Sequence, residues 1–383
     1  MKAGCVAIAL AFAVSSAGAA AFKITLLVPA DDARLERSRV ERATLGHPGG
    51  SAADGLRVAL DEASFELQAA GATLTLDVVP VANTTVARSV ALQAEKAGAA
   101  LIATDLSLEA TLAVADALQR PVLNIGNATD RLRGVDCRPR LLHITPSERM
   151  RTDALAQTLA ARRWTQELLL TGPSAEDRER SAVAQASIAR YGLKLVANRP
   201  FKHSADPRER ALANPLLLTQ GSYDVTWVVD SDGEFARELP YRTALPRPVV
   251  GDAGLVALAW HAQFERYGAP QVSRRFAKAM GRTMTAHDWS AWIAGKAAVA
   301  AAVAAPKGGS AAFDKALVGA ELDGSKGVAL GFRPWDGQLR QPLLLSDGQA
   351  VVASAPVDGV LHPKNALDTL GADAPERLCK ARS

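Results

Sequence analysis

The sequence predicts an α/β protein built from two doubly wound parallel-sheet lobes. Segments typical of buried strands alternate with segments typical of helices along almost the whole chain, a pattern that specifies parallel sheets covered by helices on both faces. The alternation runs in two series, which meet at Arg138-Pro139. Removal of an export signal leaves about 360 residues, a length that favours two domains over one.

The first series runs from residue 22 to residue 126. Its predicted strands cover residues 22–29, 73–81, 99–104 and 121–126, and its predicted helices cover residues 51–69, 86–97 and 108–118. Aliphatic runs indicate the strands, and apolar residues at helical spacing indicate the helices. A long polar loop, residues 31–50, separates the first strand from the first helix.

The second series begins after Arg138-Pro139. Its predicted strands cover residues 141–145, 167–171, 193–197, 225–229 and 248–250, and its predicted helices cover residues 148–162, 175–190 and 207–217. Helical patterns then dominate residues 273–304, and a short strand is predicted over residues 328–332. The Asp336-Gly337 pair that follows is typical of a tight β-hairpin turn, so we predict a hairpin over residues 331–342.

The N-terminus has the features of an export signal. Lys2 provides a short basic region, residues 5–15 are apolar, and residues 17–21 are small, as a cleavage site requires. The apolar run is shorter than the roughly 20 residues that a membrane span needs. We therefore assign residues 1–21 to a signal peptide, cleaved after Ala19 or Ala21, and expect the mature protein in the periplasm.

The distribution of charge gives no indication of a nucleic-acid partner. The chain has 44 basic and 40 acidic residues, for a formal net charge of +4, and the two signs are interspersed. Nucleic-acid binding requires a clustered basic face. The arginines between Arg151 and Arg163 recur at helical spacing and are interpreted as a solvated helix face.

Two cysteines, Cys137 and Cys379, remain after removal of the signal peptide. An even number of cysteines in an exported chain suggests a disulfide, which would tie the C-terminal tail to the first half of the molecule. Two free buried thiols are the alternative.

The chain carries no signature of catalysis or of metal binding. It has no GxSxG, HExxH, GxxxxGK[ST] or CxxC motif. The six histidines do not pair at the spacing of metal ligands and are interpreted as surface or capping residues. We therefore expect no enzyme activity, no cofactor and no metal. Among the six tryptophans, Trp260 and Trp335 are the best candidates for residues that line a cleft. The others are interpreted as packing residues.

The candidate binding residues follow predicted strands in both series. Open α/β sheets bind their ligands outside the carboxyl ends of the strands. In the first series these positions are Asp105, Ser107, Asn127, Ala128 and Thr129, and in the second they are Asp230, Ser231 and Asp252. Capping of the following helices is the alternative explanation, since Ser, Thr, Asp and Asn are good N-caps.

The order of these segments resembles that of the type I periplasmic solute-binding proteins of ABC transporters, the group that includes binders of branched-chain amino acids. Segments 23–28, 55–62 and 121–129 occupy the places usual in that group. Three further segments are similar to one subfamily, CRPRLLHITPS (137–147), MTAHDWSAW (284–292) and FRPWDGQLRQP (332–342). That subfamily is associated with pyrroloquinoline-quinone-dependent alcohol dehydrogenase systems.

The resemblance implies a two-lobed clamp with three crossings between the lobes. Lobe 1 would combine residues 22–140 and 253–328, lobe 2 would combine residues 141–252 and 329–356, and residues 357–383 would form a C-terminal tail. The crossings would lie near residues 144–146, 252–254 and 332–334. A small solute would bind between the lobes and close them about these hinges. The implied partners are this solute and an inner-membrane ABC permease, and we expect a monomer.

The resemblance also implies where a ligand would lie. In amino-acid binders, the loops after the third and fourth strands hold a carboxylate, and here Asp105 would repel one. In the other lobe Asp177, Asp230 and Ser231 stand where tyrosines are often found, and Asp252 fits an acidic contact to an ammonium group. These acidic, hydroxyl-rich loops indicate a neutral polyol, an alcohol-derived metabolite or a cationic solute rather than an amino acid.

Two other functions remain compatible with the sequence. The same fold serves as a ligand sensor, which would present a bound solute to a receptor or to a quinoprotein alcohol oxidation system. The other is an enzyme that uses cleft carboxylates for acid–base catalysis, but no nucleophile or activated base accompanies them at a recognisable spacing.

Overall fold

A computed structural model of the protein describes residues 20–36, 45–204, 206–305 and 309–382. Residues 1–19 of the predicted signal peptide lie outside the described residues, and so does the 37–44 part of the predicted polar loop. No helix in the described ranges is long and apolar enough to cross a membrane. The chain forms two lobes, each with its own parallel sheet, as the α/β prediction requires.

The sheet of lobe 1 contains five parallel strands. They are β1 (Ala20–Pro29), β2 (Ala72–Val81), β3 (Leu101–Thr104), β4 (Val122–Asn124) and β5 (Leu141–His143). Their order in the sheet is β2-β1-β3-β4-β5. Leu26 and Leu27 of β1 are both fully buried but belong to different apolar clusters, because successive side chains of a strand point to opposite faces. Both faces of the sheet are therefore covered.

The sheet of lobe 2 contains four parallel strands. They are β6 (Gln166–Thr171), β7 (Lys194–Pro200), β8 (Val225–Val229) and β9 (Val249–Gly251), in the order β7-β6-β8-β9. The five residues of β8 are all buried, and Trp227 packs with Leu169 of β6 in one of the two apolar clusters of this lobe. Fully buried strands of this kind are typical of parallel sheets.

The helices follow the strands in the expected alternation. They are α1 (Ala52–Glu62), α2 (Ser64–Ala69), α3 (Thr84–Lys96), α4 (Leu108–Ala117), α5 (Glu148–Ala161), α6 (Ala175–Arg190), α7 (Arg210–Ala213), α8 (Pro215–Leu218), α9 (Glu234–Glu238), α10 (Ala269–Met280), α11 (Ala286–Ala304) and α12 (Gly309–Val318). Short polar side chains cap many of them. Ser107 accepts a hydrogen bond from the backbone N–H of Ala110 at the start of α4, and Ser147 accepts one from Met150 at the start of α5.

Two predicted helices are divided in the structure. The helix predicted over residues 51–69 breaks at Ala63, between α1 and α2. The helix predicted over residues 207–217 becomes a 3₁₀ turn (Pro207–Glu209) followed by α7 and α8. Pro215 explains the second division, because proline cannot donate the backbone hydrogen bond that a continuous helix requires.

Strand β5 departs from the predicted lobe boundary. The sequence predicts residues 141–145 as the first strand of lobe 2. Instead, β5 is parallel to β4 at the edge of the lobe 1 sheet, with Leu142 opposite Leu123. The boundary predicted between residues 140 and 141 is therefore wrong, since the chain leaves lobe 1 only after His143. A short buried strand carries no local signal of which sheet it will join.

A small antiparallel sheet joins the two lobes. The remaining strands are β10 (Val256–Leu258), β11 (Leu322–Asp323), β12 (Ala329–Leu330), β13 (Leu343–Ser346) and β14 (Val351–Ala355). Strand β13 pairs with both β10 and β14, whereas β11 pairs with β12. Within β13, Leu344 packs in a lobe 1 cluster and Leu345 in a lobe 2 cluster. This sheet therefore contacts both cores.

The first and third crossings are bonded to each other. The Gln341 Nε2 group donates to the backbone oxygen of Ile144 (2.7 Å), and the Gln338 Nε2 group donates to that of Thr145 (3.1 Å). The buried guanidinium of Arg133 adds a bond from Nη2 to the same Thr145 oxygen (2.9 Å). The first and third crossings therefore lie side by side.

The predicted hairpin forms, but its turn is longer than a two-residue Asp-Gly turn. Phe332 pairs with Leu339 in antiparallel fashion, and the Arg333 N–H donates to the Gln338 oxygen (2.9 Å). Residues 334–337 form the loop, in which Gly337 adopts a φ of +71° that glycine tolerates best. Asp336 is only 2% exposed, because the turn packs against the rest of the molecule.

The C-terminal tail is attached to both lobes. A disulfide joins Cys137 to Cys379, the pairing that the sequence suggests, with the Cα atoms 5.6 Å apart. On the lobe 1 side, Arg382 Nη2 donates to the backbone oxygen of Leu141 (2.9 Å). On the lobe 2 side, the Gly371 N–H donates to Asp153 Oδ2 (2.9 Å). The tail therefore spans the back of the crossings.

Candidate functional site

A cleft of about 830 Å³ lies between the two lobes. Loops that follow β3 and β4 line it from lobe 1, and loops that follow β8 and β9 line it from lobe 2. The first turns of α5 and α11, one side of α6, the strand β10 and the segment after β1 that contains Arg34 and residues 45–48 also line it. The cleft thus lies at the carboxyl ends of both parallel sheets, which is where open α/β folds bind ligands.

Asp105 is the centre of a charged network in the lobe 1 wall. It follows β3 and is 2% exposed. Arg34 donates from Nη1 to Asp105 Oδ1 (3.1 Å) and from Nη2 to Oδ2 (2.8 Å), and His287 Nε2 lies 2.8 Å from Oδ2. Burial raises the pKa of the Asp105 carboxyl, but the charges and hydrogen bonds of His287 and Arg34 outweigh it and hold the pKa well below its ordinary value.

Arg34 is itself held between two carboxylates. Besides Asp105, it donates to Asp32 from Nε (2.9 Å) and from Nη2 (2.7 Å). Burial lowers the pKa of Arg34, but the two aspartates outweigh burial and raise it above its ordinary value. The Arg34 guanidinium therefore offsets part of the repulsion expected between Asp105 and an anionic ligand.

Gly126 allows this network to form. A Cβ atom at residue 126 would overlap the carboxylate of Asp105. Any larger residue after β4 would therefore displace Asp105 from its partners. The glycine is required by the close approach of a side chain rather than by the local turn.

Other candidate residues of lobe 1 mainly shape their loops. Ser107 caps α4, as the capping alternative proposes. The Asn127 Oδ1 atom accepts a hydrogen bond from the Thr129 N–H (3.0 Å), and the backbone oxygen of Ala128 accepts one from the Glu148 N–H of lobe 2 (3.0 Å). Ser107, Asn127, Ala128 and Thr129 all line the cleft, so they serve the loop and face the cavity.

The candidate aspartates of lobe 2 are bound within their own loops. Asp230 Oδ2 accepts from the Ala236 N–H (2.8 Å), and Asp252 Oδ2 accepts from the Asp230 N–H (2.7 Å). Burial raises the pKa of Asp230, and the charge of Asp252 adds to this effect. Asp230, Ser231 and Asp252 line the cleft.

Asp177 is the one candidate residue that does not line the cleft. It forms a capping box with Ser174 at the start of α6, and its Oδ1 atom accepts a hydrogen bond from the Ser231 N–H (2.7 Å). Both carboxylate oxygens are therefore used to hold α6 against the loop after β8. Asp177 thus lies outside the cleft lining, and helix capping accounts for its contacts, as the capping alternative proposes.

Two arginines of the lobe 2 wall are also paired with carboxylates. Arg180 donates from Nη2 to Asp252 Oδ1 (2.6 Å) and from Nε to Glu148 Oε2 (3.3 Å). Arg151 donates from Nη1 to Glu148 Oε1 (3.1 Å). Burial raises the pKa of Glu148, but the charges of Arg151 and Arg180 outweigh it and lower the pKa.

Two glutamates on the first turns of α6 have no such partner. Glu176 and Glu179 line the cleft and are exposed. Within the described part of the chain, neither forms an ion pair. Burial raises the pKa of Glu176, and the charges of Glu148, Asp177 and Asp252 raise it further, against the opposing effect of Arg180.

The predictions for two tryptophans and one histidine are wrong. Trp260 is 1% exposed and stacks on Trp289 in the lobe 1 core, with ring centroids 6.2 Å apart. Trp335 donates from Nε1 to the backbone oxygen of Ala372 in the tail (3.1 Å). Neither lines the cleft, whereas Trp227 does. His287, interpreted as a surface or capping residue, is instead buried against Asp105.

Sequence reasoning missed several charged cleft residues, among them Arg34, Glu176, Glu179, Arg180 and His287. Three of them lie on α6, directly after β6, so the rule for the carboxyl ends of strands could have found them. Arg34 and His287 come from distant segments and meet at Asp105 only in the folded chain. Among the described residues, no group of three His, Cys, Asp or Glu side chains is placed to hold a metal ion.

Comparisons with known proteins identify the fold. No protein-family model matches the sequence, and no curated protein is similar to it. A solved ABC transporter substrate-binding protein from Sphaerobacter thermophilus has a TM-score of 0.69 at 18% identity, over 88% of this chain and 98% of that one.

Two further solved structures agree. A branched-chain amino acid ABC transporter periplasmic ligand-binding protein from Burkholderia xenovorans has a TM-score of 0.68 at 15% identity, over 87% of this chain and 95% of that one. A solute-binding protein of an ABC transporter from R. palustris, in complex with benzoate, has a TM-score of 0.63 at 15% identity, over 90% of this chain and all of that one. The chain therefore has the two-lobed α/β fold of type I periplasmic binding proteins.

Proposed function

We propose that this protein is the periplasmic substrate-binding component of an ABC transporter and captures a small polar solute between its lobes. The observation that carries this proposal is the cleft of about 830 Å³ at the carboxyl ends of both sheets. Its volume lies within the range of small-molecule sites. The solved structures of the same fold are themselves solute-binding proteins of ABC transporters, which supports the same role here.

The proposed mechanism is closure of the lobes about three hinges. We place the hinges near residues 144–146, 252–254 and 332–334, with lobes that follow the ranges given above except that β5 and β12 stay with lobe 1. A solute that contacts both walls stabilises the closed form relative to the open one, because it binds only the closed form with both sets of contacts. The closed, monomeric protein would then dock on an inner-membrane permease.

The biological setting is also part of the proposal. Export through a signal peptide over residues 1–21 would deliver the protein to the periplasm. The segments CRPRLLHITPS, MTAHDWSAW and FRPWDGQLRQP support an association with pyrroloquinoline-quinone-dependent alcohol dehydrogenase systems. The protein would bind its solute without changing it, and it would bind neither a cofactor nor nucleic acid.

Calorimetric titration of the purified mature protein against a panel of small solutes tests the proposal. We expect one class of solute to bind with a single site and to reduce the radius of gyration measured by small-angle X-ray scattering. Ala182 lies on the cleft-facing side of α6, so an Ala182→Trp variant should abolish binding.

Ala189 provides a matched control. It is exposed on the same helix but does not line the cleft, so Ala189→Trp should bind as the unmodified protein does. Turnover of the bound solute, or binding that survives Ala182→Trp, would contradict the proposal.

A further inference from the structure

We propose that the solute is a small organic cation with an apolar body, which rests on the proposed function and narrows its ligand. The pairing of charges in the cleft is the basis of this inference. The arginines that line the cleft are already bound to carboxylates, whereas several cleft carboxylates have no basic partner in the described residues. A cationic ligand would find unpaired groups of opposite charge, and an anionic ligand would not.

The arginines that line the cleft within the described residues are four in number, and each has a carboxylate partner. Arg34 is bound to Asp32 and Asp105, and Arg180 to Glu148 and Asp252. Arg151 pairs with Glu148 (3.1 Å), and Arg131 pairs with Asp136 (2.6 Å). An anion would have to compete with these carboxylates for the guanidinium groups.

The carboxylates of the same lining outnumber the arginines, seven to four. Glu176 and Glu179 form no ion pair in the described part of the chain, and Asp230 accepts only backbone N–H groups. These three residues all belong to the lobe 2 wall. A positive charge in the cleft would interact favourably with these carboxylates and favour their ionised forms.

The net charge of the cleft lining is opposite in sign to the net charge of the whole chain. The chain has a formal net charge of +4, whereas the residues that line the cleft carry an excess of carboxylates. A concave wall of one charge sign focuses the local potential and concentrates counter-ions. The negative potential is therefore a local property of the site.

The apolar part of the lining indicates an organic solute. Leu106, Leu155, Val256 and Leu258 line the cleft and are each less than 9% exposed. A bare metal ion would instead need several oxygen or nitrogen ligands around one point, and no such group of side chains occurs among the described residues. An amine attached to a hydrocarbon would be complementary to both the carboxylates and the apolar side chains of the lining.

Probes that share one shape and differ only in charge test this inference. We would titrate the mature protein with benzylamine, benzyl alcohol and benzoate, and with butylamine, butanol and butyrate, at millimolar concentrations. In each set we expect the amine to bind about tenfold more tightly than the alcohol, and the acid to bind most weakly. Added salt should weaken binding of the amine and leave binding of the alcohol unchanged.

Variants locate the effect in lobe 2. Glu176→Gln/Glu179→Gln should reduce the affinity for the amine about tenfold or more and leave the alcohol unaffected. Glu66→Gln/Glu109→Gln is the matched control, because it changes the net charge equally at two exposed glutamates outside the cleft. Its affinity for the amine should remain that of the unmodified protein.

The outcomes separate this inference from the proposed function. Binding of the acid or the alcohol as tight as that of the amine, with loss in Ala182→Trp, would overturn the cationic class and leave the binding function standing. Equal loss of amine affinity in both glutamine variants would also overturn it, since the effect would come from net charge. Absence of cleft-dependent binding by every probe would overturn the inference, and the wider solute panel would then decide the proposed function.

Discussion

Two buried carboxyl groups, Asp105 of lobe 1 and Glu167 of lobe 2, differ in whether they have partners. Asp105 in lobe 1 is 2% exposed and is bound by Arg34 and His287. Glu167 in the β6 strand of lobe 2 is fully buried, and neither of its carboxylate oxygens has a hydrogen-bond partner. The pKa of Asp105 is lowered, whereas burial and the charge of Asp224 raise the pKa of Glu167 to about 8.

The comparison shows that burial alone does not decide the charge of a carboxyl group. Burial raises the pKa in both cases, and the partners determine whether that effect is overcome. Asp105 is thus ionised and stabilising at neutral pH, whereas Glu167 takes up a proton on folding. The two lobes have the same fold class, so the difference arises from a few side chains around each carboxyl.

The largest effect is expected from a change that touches neither carboxyl. Replacing both disulfide cysteines, as in Cys137→Ser/Cys379→Ser, should lower the free energy of unfolding by about 4 kcal/mol, because the bond closes a long loop in the unfolded chain. Urea denaturation followed by tryptophan fluorescence measures it. The loss in the free energy of unfolding should be the same at pH 5 and pH 7. It therefore serves as a pH-independent reference for the variants of charged residues. A free-thiol count of two in the unmodified protein would contradict the premise.

The Asp105→Asn variant removes the charge of the buried carboxylate in lobe 1. It leaves Arg34 and His287 without their shared anion, so we expect a loss of about 3 kcal/mol in the free energy of unfolding at pH 7. The stabilisation by Asp105 is present above the ordinary pKa of aspartate, 3.8, and is lost as the pH falls below it, because its folded-state pKa is lowered. The variant and the unmodified protein should therefore converge in acid. A difference that persists unchanged at pH 3 would show that the loss is not electrostatic.

The Glu167→Gln variant should act in the opposite direction. At pH 7 the unmodified protein must bind a proton at Glu167 in order to fold, so we expect the variant to be more stable by about 2 kcal/mol. Because the folded-state pKa is raised, the unmodified protein loses stability as the pH rises from about 4.5 to about 8. The advantage of the variant should therefore vanish near pH 4. Equal stability of the two proteins at pH 7 would remove the contrast between the lobes.

The smallest effect is expected at an exposed carboxylate. Asp77 pairs with Lys23 across β1 and β2 (2.9 Å), and both side chains are almost half exposed. Asp77→Asn should change the free energy of unfolding by less than about 0.5 kcal/mol, because solvent screens the pair. It serves as the control for Asp105→Asn in the same sheet. A loss as large as that of Asp105→Asn would mean that burial is irrelevant to the comparison.

Much of the cleft lining could be predicted from the sequence, because the local order of aliphatic and polar residues indicates where strands end. Asp105, Thr129 and Asp252 were identified from runs of buried aliphatic residues followed by polar ones, and the structure places them around one cavity. The roles of these residues could not be predicted in the same way. Arg34 lies 71 residues before Asp105, and His287 lies 182 residues after it, so no local pattern relates them.

The same limit explains the errors in the fold. Strand β5 was assigned to the wrong lobe because its residues are buried in either sheet, and the choice depends on pairing with β4. The sequence places Trp335 near a cleft because it lies beside a crossing. In the structure it donates a hydrogen bond to the backbone oxygen of Ala372 in the tail. In both cases the deciding contact comes from a part of the chain that is distant in sequence.

Local sequence patterns are enough to predict the fold class, the two series of strands and helices, the hairpin and the strand ends that line the cleft. These features depend on residue periodicity and on turn chemistry, which act over a few residues. The charge of each buried carboxyl group, the partners of the arginines and the side chains that meet across the lobes can be read from the folded structure alone. Those properties depend on burial and on charges a few ångströms apart in space, and the fold alone brings such charges together.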